Sequence, residues 1–543
     1  MKSWTRFDLN WILVVLLTVF ALAPLTYPGF FEASSGFLPA FTVANLSDAP
    51  NWQGMAGPVR GEGLLPYLLA RPFYALSGSG VVAIKWGYGL AFLIGALGVY
   101  AWTRRWLGAK GGVLSATVYT YLPWHLSAVY TRGAYAEAWL WAFWPWLLWA
   151  IDRLADQRTR STLVGIAAGL ALVAATLWTQ PGLATLVLPL FVAYGVIVVT
   201  RPPWRLLQLV EALGLALLFL WIAARMAVET LIPFGDHFLH PFQLFSPGGG
   251  DELSFQLGLA AVGLSIVAVA LQAGRREGTP DAQSGTEGGE VGQSVSETGS
   301  GASPPLNLAF WFWGCSLLLI ILLCLPISAW LWEISRLDAL LTYPWQILAL
   351  SGLPLAFLAG SVIRLDRRFA ALPAWAGVVA LVVLASYPYL APRHTTVDPG
   401  SEPVALLQTA EAEAPQIMLL DYEVGQPVEL EETQILTLTL AWQVVEPVVE
   451  DYTVFVHVLT GDGAKVAQRD ARPCDGECPT NTWQPGEVII DRYQLDLGQD
   501  AGTGASGAQP QPAQLAVGLY LLESGDRAHV VGREDRTVFL DVR

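Results

Sequence analysis

Eleven apolar runs fill most of the first 390 residues, and most are near the length of a bilayer-crossing helix. A transmembrane helix needs about 20 mainly apolar residues, within a range of about 17 to 25. Only 14% of the chain is charged, against about 25% in typical soluble domains, which excludes a wholly soluble enzyme. We therefore expect a polytopic α-helical membrane protein with about 11 transmembrane helices, at Leu9–Ala23, Val81–Trp102, Gly112–Tyr130, Ala136–Ile151, Leu163–Trp178, Leu183–Val199, Leu206–Ala227, Phe255–Leu271, Leu306–Leu325, Pro344–Val362 and Leu372–Leu390.

The basic residues predict the orientation of these helices. Cytoplasmic loops of membrane proteins carry an excess of Lys and Arg. If the N-terminus is cytoplasmic and each of the eleven runs crosses the membrane once, the cytoplasmic loops hold 15 Lys and Arg and the outside segments of the membrane region hold 5. We expect a multi-pass protein of the inner or plasma membrane with everything after Arg393 outside. The first run also contains Ala21-Leu22-Ala23, which fits a signal-peptidase site, so signal peptide and membrane anchor both stay open.

The charge of the chain is concentrated in its C-terminal quarter. The net charge is −15, and residues 401–543 alone hold 24 Asp and Glu against 8 Lys and Arg, a net of −16. We expect a membrane domain at residues 1–395 and a separate extracytoplasmic domain at 400–543. A Gly- and Ser-rich segment at 275–305 lacks the apolar area needed to fold, so it is predicted to be a disordered cytoplasmic loop. No basic block exists, which disfavours a nucleic-acid partner.

The acidic tail has the pattern of an all-β domain. Leu436–Trp442, Tyr452–Leu459 and Val488–Leu495 alternate apolar and polar residues with period two, and turn residues separate further short runs. Seven or eight such strands predict an antiparallel sandwich. Cys474 and Cys478 bracket a short loop, where a disulfide is expected outside the cell and two reduced thiols are the alternative.

Charged residues beside membrane spans are the first places to look for function. His125, Arg132, Tyr135 and Glu137 lie in the outside turn between the third and fourth runs. An Arg there can hold a phosphate or pyrophosphate by bidentate hydrogen bonds, and a nearby carboxylate can orient a sugar hydroxyl. The alternative is a purely structural Arg132–Glu137 salt bridge that shapes the turn.

Two other groups of residues are candidates for chemistry. Glu32 and Asp48 lie in the first outside loop, where a carboxylate can act as a general base or hold a divalent cation beside a leaving phosphate. Solvated loop charges are the plainer interpretation of each. Asp236, His237 and His240 have a D-H-x-x-H spacing that can ligate a metal, but no third ligand is apparent nearby, so they are weak candidates and no metal site is predicted.

Several motifs resemble a known family. YTRGAYAE at Tyr130–Glu137, with Y-x-x-x-P-W at Tyr119–Trp124 and YPWQ at Tyr343–Gln346, resembles the bacterial membrane proteins called 6-pyruvoyl-tetrahydropterin synthase-related. These are similar to polytopic glycosyltransferases of the GT-C fold class. The tail resembles a module found behind such membrane domains.

The resemblance implies a GT-C-like membrane glycosyltransferase. Such an enzyme passes a sugar from a polyprenyl-phosphate donor to a glycan or other acceptor outside the membrane, with a first-loop carboxylate as base. By this analogy Glu32 or Asp48 is the base, Arg132 the phosphate clamp and Glu137 a positioning residue. The family's usual His-Asp is replaced here by Ser34-Ser35. The alternative function is therefore a non-catalytic envelope protein that binds or scaffolds surface polysaccharide.

Overall fold

The structure is a computed structural model, and the residues that it describes are 8–31, 37–44, 46, 63–154, 159–199, 205–226, 234–247, 253–277, 306–395, 404–409, 415–425, 427–430, 433–444, 448–483, 488–497, 512–531, 533 and 536–542. The chain divides into two compact units. The first comprises Met1–Thr26, Arg60–Leu69 and Lys85–Pro392, and the second comprises Tyr27–Val59, Ala70–Ile84 and Arg393–Arg543. The second unit thus takes in two short N-terminal segments that the predicted boundary near residue 400 did not include.

Helices account for most of the chain up to residue 385. Those in the described part are α1 Asn10–Ala21, α2 Phe37–Ala44, α3 Leu65–Ser77, α4 Gly80–Thr120, α5 Pro123–Tyr130, α6 Tyr135–Leu154, α7 Thr159–Thr179, α8 Pro181–Leu186, α9 Leu188–Val199, α10 Arg205–Met226, α11 Leu259–Glu277, α12 Leu306–Leu323, α13 Ala329–Ser335, α14 Gly352–Leu365, α15 Arg367–Ala370 and α16 Leu372–Ala385. Short 3₁₀ helices at Phe234–His237, Pro241–Leu244, Leu337–Leu340 and Pro344–Leu350 join some of them.

Each of the eleven apolar runs overlaps one or more of these helices. Among the described residues, five helical segments are long and apolar enough to cross a membrane: Gly80–Tyr130, Thr162–Thr179, Pro181–Val198, Leu306–Leu323 and Pro344–Leu365. Four apolar helices are shorter, at Asn10–Ala21, Gln208–Leu220, Leu259–Arg275 and Leu372–Ala385. A helical domain with several candidate membrane helices is confirmed, and the count of eleven crossings stays a prediction.

Proline and glycine set several of the helix boundaries. Pro123 and Pro181 stand at the first turns of α5 and α8, where a missing N–H costs nothing. Within α4 the backbone leaves the helical region at Gly108 (φ 75°, ψ 177°), a conformation that favours glycine. The long helix is therefore two segments that meet at Gly108, close to the predicted cytoplasmic turn.

A buried carboxylate links three helices of the first unit. Asp152 of α6 accepts hydrogen bonds from Trp106 Nε1 (3.0 Å) and from the Tyr194 hydroxyl (2.8 Å). Trp102 Nε1 in turn donates to Tyr194 at 2.9 Å. Because a buried charge is tolerated only where hydrogen bonds replace water, this network fixes α4, α6 and α9 together.

Close helix packing in the first unit depends on small residues. A Cβ at Gly360 of α14 would stand 2.0 Å from Ser115 Oγ of α4 and 2.9 Å from the carbonyl oxygen of Gly111. Small residues at such contacts let helix backbones approach, which is how helices associate in membranes. The α4–α14 contact therefore tolerates no side chain at Gly360.

The C-terminal residues of the second unit form two antiparallel sheets. The strands are β1 Phe30–Phe31, β2 His394–Thr395, β3 Ala405–Gln408, β4 Ile417–Val424, β5 Val428–Leu430, β6 Thr433–Val444, β7 Tyr452–Leu459, β8 Lys465–Ala471, β9 Val488–Asp496, β10 Gln514–Leu521, β11 His529–Val530 and β12 Val538–Asp541. One sheet has the order β12-β10-β7-β8, the other has the order β11-β3-β4-β6-β5 with β9 also paired to β6, and β1 pairs with β2.

One hydrophobic core joins the two larger sheets. Inward residues of β7 such as Val454 and Val456 belong to the same buried cluster as Leu438 and Trp442 of β6. The predicted antiparallel β region is therefore confirmed. Cys474 and Cys478 are joined by a disulfide, with Cα atoms 5.4 Å apart. Of the predicted disordered loop at 275–305, the first three residues belong to α11 and the others lie outside the described residues.

Candidate functional site

The turn between α5 and α6 places an arginine and a glutamate side by side. The turn is closed by backbone hydrogen bonds, with the Arg132 N–H donating to Ser127 O (3.1 Å) and the Ala134 N–H donating to Ala128 O (2.9 Å). Gly133 between them has φ 79°, which a residue with a Cβ adopts only at a cost. Glu137 follows in the first turn of α6, where a negative charge is favoured by the helix dipole.

Arg132 and Glu137 form a close ion pair. Arg132 Nη2 lies 2.5 Å from Glu137 Oε2, and the two side chains are 16% and 3% exposed. A buried ion pair is strongly coupled, since removing one partner leaves the other charge without compensation. Arg132 retains the larger exposure, so a ligand that reaches this pair meets the guanidinium rather than the carboxylate.

Two tryptophan rings hold the guanidinium from different parts of the chain. The guanidinium carbon of Arg132 is 5.6 Å from the ring centroid of Trp124 in α5 and 5.1 Å from that of Trp345. Phe255 packs against both rings, at 5.7 Å from Trp124 and 5.5 Å from Trp345. A cation over a tryptophan face is stabilised by about 0.5 to 2 kcal/mol, depending on desolvation. We call Arg132, Glu137, Trp124 and Trp345 the arginine box.

The segment that supplies Trp345 is fixed by its neighbour Gln346. Gln346 Oε1 accepts the backbone N–H groups of Thr342 (2.9 Å) and Tyr343 (3.1 Å), and so caps the 3₁₀ helix Pro344–Leu350. The Tyr343 ring stacks on Trp345 with centroids 4.7 Å apart and planes at 8°. The His237 ring lies 5.0 Å from Tyr343, so a row of rings leads away from Arg132.

The other two residues predicted in this turn serve helix packing in the structure. His125 is buried, its Nδ1 lies 2.8 Å from Tyr119 O, and its ring stacks on Trp141 at 4.1 Å. Tyr135 is buried and its hydroxyl donates to Pro66 O at 3.3 Å. The structure thus brings Glu137 to Arg132, and gives His125 and Tyr135 other partners.

The three residues with metal-ligand spacing have separate neighbours. His237 faces Tyr343, whereas the His240 ring lies parallel to Phe242 at 5.9 Å. Asp236 stands in the 3₁₀ helix Phe234–His237. Over the ranges that the structure describes, no group of three His, Cys, Asp or Glu side chains is placed to hold a metal ion.

The predicted bases of the first outside loop lie outside the described residues. Glu32 and Asp48 are among them, as are Ser34 and Ser35 at the position of the family's His-Asp. Their roles therefore stay predictions from the sequence and from the family resemblance.

An apolar cavity of about 710 Å³ lies among α6, α7, α8, α9 and α10. Its walls include Trp144, Leu170, Phe191 and Phe219, and two glycines, Gly165 and Gly169 of α7, also line it. Apolar walls of this kind suit a hydrocarbon chain.

Helix α8 is close both to the cavity and to the segment that precedes Tyr343. Ala184 and Thr185 of α8 line the cavity. A Cβ at Gly182 of the same helix would stand 2.0 Å from the carbonyl oxygen of Leu340. Leu340 precedes the stacked Tyr343 by three residues. Helix α8 thus contributes residues to the cavity wall and also contacts the segment that precedes Tyr343.

Several of these site residues carry no signal of their own in the sequence. Trp124 and Tyr343 fall in motifs of the family resemblance, but aromatic residues are frequent in this chain, which has 23 Trp. Phe255 begins the eighth apolar run, and His237 stands in the loop before that run, where its spacing indicated a metal rather than a ring contact. Only the packing of distant segments shows which of these rings meet Arg132 or continue the row.

Comparison with known proteins supports the family resemblance over part of the chain. Residues 63–235 match the model of the 6-pyruvoyl-tetrahydropterin synthase related domain, which is described as a membrane protein. The match includes Trp124, Arg132 and Glu137. Among proteins with curated functions, none matches.

Two solved structures show distant similarity. Both are of the Archaeoglobus fulgidus oligosaccharyltransferase, one tethered by a disulfide to an acceptor peptide containing the NVT sequon and one in complex with Zn and sulfate. The first is 12% identical with a TM-score of 0.40 and covers 72% of this chain and 55% of the other. The second is 12% identical with a TM-score of 0.37, covering 70% and 52%. The chain spans about half the length of these proteins, so its function must be argued from its own residues.

Proposed function

We propose that this protein is a membrane glycosyltransferase, which takes a sugar from a polyprenyl-phosphate donor and passes it to an acceptor on the extracytoplasmic face. The observation that carries the proposal is the arginine box. It presents a cation that is 16% exposed between two tryptophan faces, and the same unit contains an apolar cavity. A lipid-linked sugar phosphate has three parts, a hydrocarbon chain, an anionic phosphate and a sugar.

Each part of the donor has a counterpart in the first unit. The Arg132 guanidinium attracts the phosphate, and charge-assisted hydrogen bonds of this type are short and strong. Glu137 holds the guanidinium in place at 2.5 Å. The stacked rings of Tyr343 and Trp345 offer a flat face for the C–H groups of a sugar. The apolar cavity among α6 to α10 takes part of the lipid chain.

The acceptor is activated by a carboxylate of the first outside loop in this proposal. Glu32 or Asp48 removes the proton from the attacking hydroxyl as that hydroxyl reaches the sugar. A divalent cation held by the same loop would neutralise the leaving phosphate. Both roles rest on sequence and resemblance.

The extracytoplasmic location of the reaction rests on the distribution of bases. The 15 to 5 ratio of Lys and Arg between inside and outside loops favours a cytoplasmic N-terminus and a C-terminal domain outside the cell. The α5–α6 turn, and with it Arg132, then faces outward.

A second candidate function is a non-catalytic envelope protein that binds or scaffolds polysaccharide. The observation that favours it is Ser34-Ser35 in place of the family's His-Asp. Loss of the usual base would leave a binding site without transfer.

A transfer assay separates the two functions. Purified protein in lipid nanodiscs is offered radiolabelled polyprenyl-phosphate sugars, with Arg132→Ala, Glu32→Ala and Asp48→Ala compared with wild type. Loss of a preorganised charge at a phosphate should slow transfer about a hundredfold in Arg132→Ala. Arg336→Ala, an exposed arginine outside the box, is the matched control and should transfer at the wild-type rate.

Two outcomes would contradict the proposal at different points. Transfer that persists in all three variants would remove these residues from the site. Wild-type protein that binds donor or glycan but transfers from no donor would favour the scaffold.

A further inference from the structure

The outward face of the four-stranded sheet carries an ordered group of polar and aromatic side chains. Along β7, Val454, Val456 and Val458 point into the core, so the alternate residues Phe455 and His457 point outward. Their neighbours across the sheet share this face, because directly paired residues lie on the same side. The paired residues on β8 are Asp470 and Gln468, and those on β10 are Gly518 and Ala516.

Phe455 forms the floor of this face. It is only 2% exposed although it points away from the core. A Cβ at Gly518 would stand 2.6 Å from the Phe455 ring, so the ring rests on a position that only glycine leaves open. The Arg527 guanidinium covers it at 4.4 Å, and the rings of His457 and Tyr520 lie 5.2 and 6.3 Å away.

Hydrogen bonds order the polar side chains around that floor. The Tyr520 hydroxyl donates to Asp470 Oδ2 at 3.2 Å. Gln468 Nε2 lies 3.5 Å from Asp470 Oδ1, and Lys465 Nζ donates to Gln468 Oε1. A continuous row therefore crosses the sheet from β8 to β10. Side chains held in this way lose less entropy when a ligand binds.

Three charged side chains act on His457, those of Asp470, Lys465 and Arg527. Burial lowers the pKa of His457, and the nearby charges of Lys465 and Arg527 lower it further, while Asp470 acts in the opposite direction. A lowered pKa favours the neutral imidazole of His457, which offers a ring and a hydrogen-bonding group. The positive charge of the face comes from lysine and arginine alone.

The charge of this face differs from that of its domain. Residues 401–543 hold three times as many acids as bases. Three of the eight bases, Lys465, Arg527 and Arg536, belong to this face, and Arg536 Nη1 donates to Arg527 O at 3.3 Å. Asp470 lies among them, and Asp541 lies at the far edge on β12. An anionic ligand would thus be repelled by most of the domain but not by this face.

We propose that this face binds an acidic oligosaccharide. Arg527 and Lys465 pair with the carboxylates of uronic-acid sugars. Asp470 and Gln468 hydrogen-bond to sugar hydroxyls, and the rings of Tyr520 and His457 pack against the apolar side of a sugar. The site lies entirely in the second unit and goes beyond the transfer reaction, so it stands if that proposal fails.

A binding measurement on the full-length protein tests this site. The protein in detergent is titrated calorimetrically with hexamers of galacturonate, mannuronate and hyaluronate, and with maltohexaose as a neutral probe of equal length. At least one acidic hexamer should bind about tenfold more tightly than maltohexaose, since an added charge-assisted hydrogen bond is worth about one factor of ten. Raising the salt concentration to about 1 M should weaken it by screening.

Variants locate the binding on the sheet. Arg527→Ala should weaken the acidic hexamer about tenfold, and Lys465→Ala, at an exposed position, should weaken it by a smaller factor without affecting folding. Asp470→Asn keeps the side-chain size and tests hydroxyl binding. Arg492→Ala removes the same charge from an exposed position of β9 in the other sheet, and should leave affinity unchanged.

Two results of these binding measurements would contradict the proposed oligosaccharide site. If none of the three acidic hexamers binds, or if maltohexaose binds as tightly, the proposal is wrong. If Arg492→Ala weakens binding as much as Arg527→Ala does, the attraction is general electrostatics rather than a site. Near-UV circular dichroism of each variant shows that a loss of binding is not a loss of fold.

Discussion

Neutralising Glu137 should destabilise the first unit and uncover how Arg132 is held. Glu137→Gln keeps the size of the side chain but removes the charge 2.5 Å from Arg132 Nη2. Removal of one partner of a buried ion pair typically costs about 3 to 5 kcal/mol. Because Arg132 is 16% exposed and has tryptophan faces on two sides, we expect the lower end, about 3 kcal/mol.

Removal of the arginine instead of the glutamate should reduce the free energy of unfolding by more. Arg132→Met leaves the carboxylate of Glu137, which is only 3% exposed, without its cation, so we expect about 4 to 5 kcal/mol. Arg132→Met combined with Glu137→Gln removes both charges and should reduce the free energy of unfolding by less than either single change does. With single costs of about 3 and about 4 kcal/mol and a double cost below about 3 kcal/mol, the coupling free energy should be about 4 kcal/mol or more.

The measurement is reversible unfolding in mixed micelles with increasing SDS. Arg104→Gln, at the more exposed pair with Asp8 (3.1 Å, 41% and 24% exposed), is the matched control and should cost about 1 kcal/mol or less. If the two single changes at the box add to the double change within about 0.5 kcal/mol, the two side chains are not coupled and the argument is refuted. If the double variant still transfers sugar at the wild-type rate, the pair has a structural role alone.

Three further changes test other parts of the structure. Gly352→Ala places a Cβ 2.7 Å from Cε1 of the buried His125 and should destabilise the first unit by about 1 to 3 kcal/mol in the same assay. Gly377→Ala, where a Cβ would have no atom within 4 Å, is the control and should be neutral or stabilising by up to about 1 kcal/mol. Equal effects of the two changes would contradict the packing around His125. Cys478→Ser opens the disulfide, whose short loop predicts a loss of about 2 kcal/mol in the thermal unfolding of the second unit, and dithiothreitol should act only on the wild type. Burial raises the pKa of Asp491, so the folded state holds a proton more tightly than the unfolded chain, and the stability from this group is lost as pH rises through the folded pKa. The free energy of unfolding of wild type relative to Asp491→Asn should therefore increase from pH 7 to pH 4. A difference that does not change with pH would refute this.

The sequence predicted the elements whose signal is local. Each apolar run overlaps one or more helices, and the period-two runs became β6, β7 and β9 with bounds shifted by at most a few residues. Strands such as β3, β5 and β11 have four, three and two residues, too few for a period to be visible. They are positioned by pairing with longer neighbours, a tertiary effect that no local pattern contains.

The candidate site could be predicted only in part for the same reason. Arg132 and Glu137 are five residues apart, and charges beside a membrane span are rare enough to be noticed. Trp345 is 213 residues beyond Arg132 and is one of 23 tryptophans, and no property of the residue itself marks it. Conversely, His125 and Tyr135 belong to the same predicted cluster as Arg132, yet their partners are Tyr119, Trp141 and Pro66. His125 stands in α5 and Tyr135 in α6, whereas Arg132 stands in the turn between these helices.

Gln346 shows how a single departure from the family motif bears on the site. This chain reads YPWQ at Tyr343–Gln346, and the family that it resembles usually has Arg in place of the Gln. Here Gln346 Oε1 accepts two backbone N–H groups, and an arginine side chain has donors but no acceptor. An arginine at this position therefore cannot make this cap and would bring a second cation close to Trp345. In this chain Gln346 instead caps the 3₁₀ helix and so fixes the Trp345 ring. Because the positive charge of the arginine box comes from Arg132, replacement of Arg132 should weaken phosphate binding most.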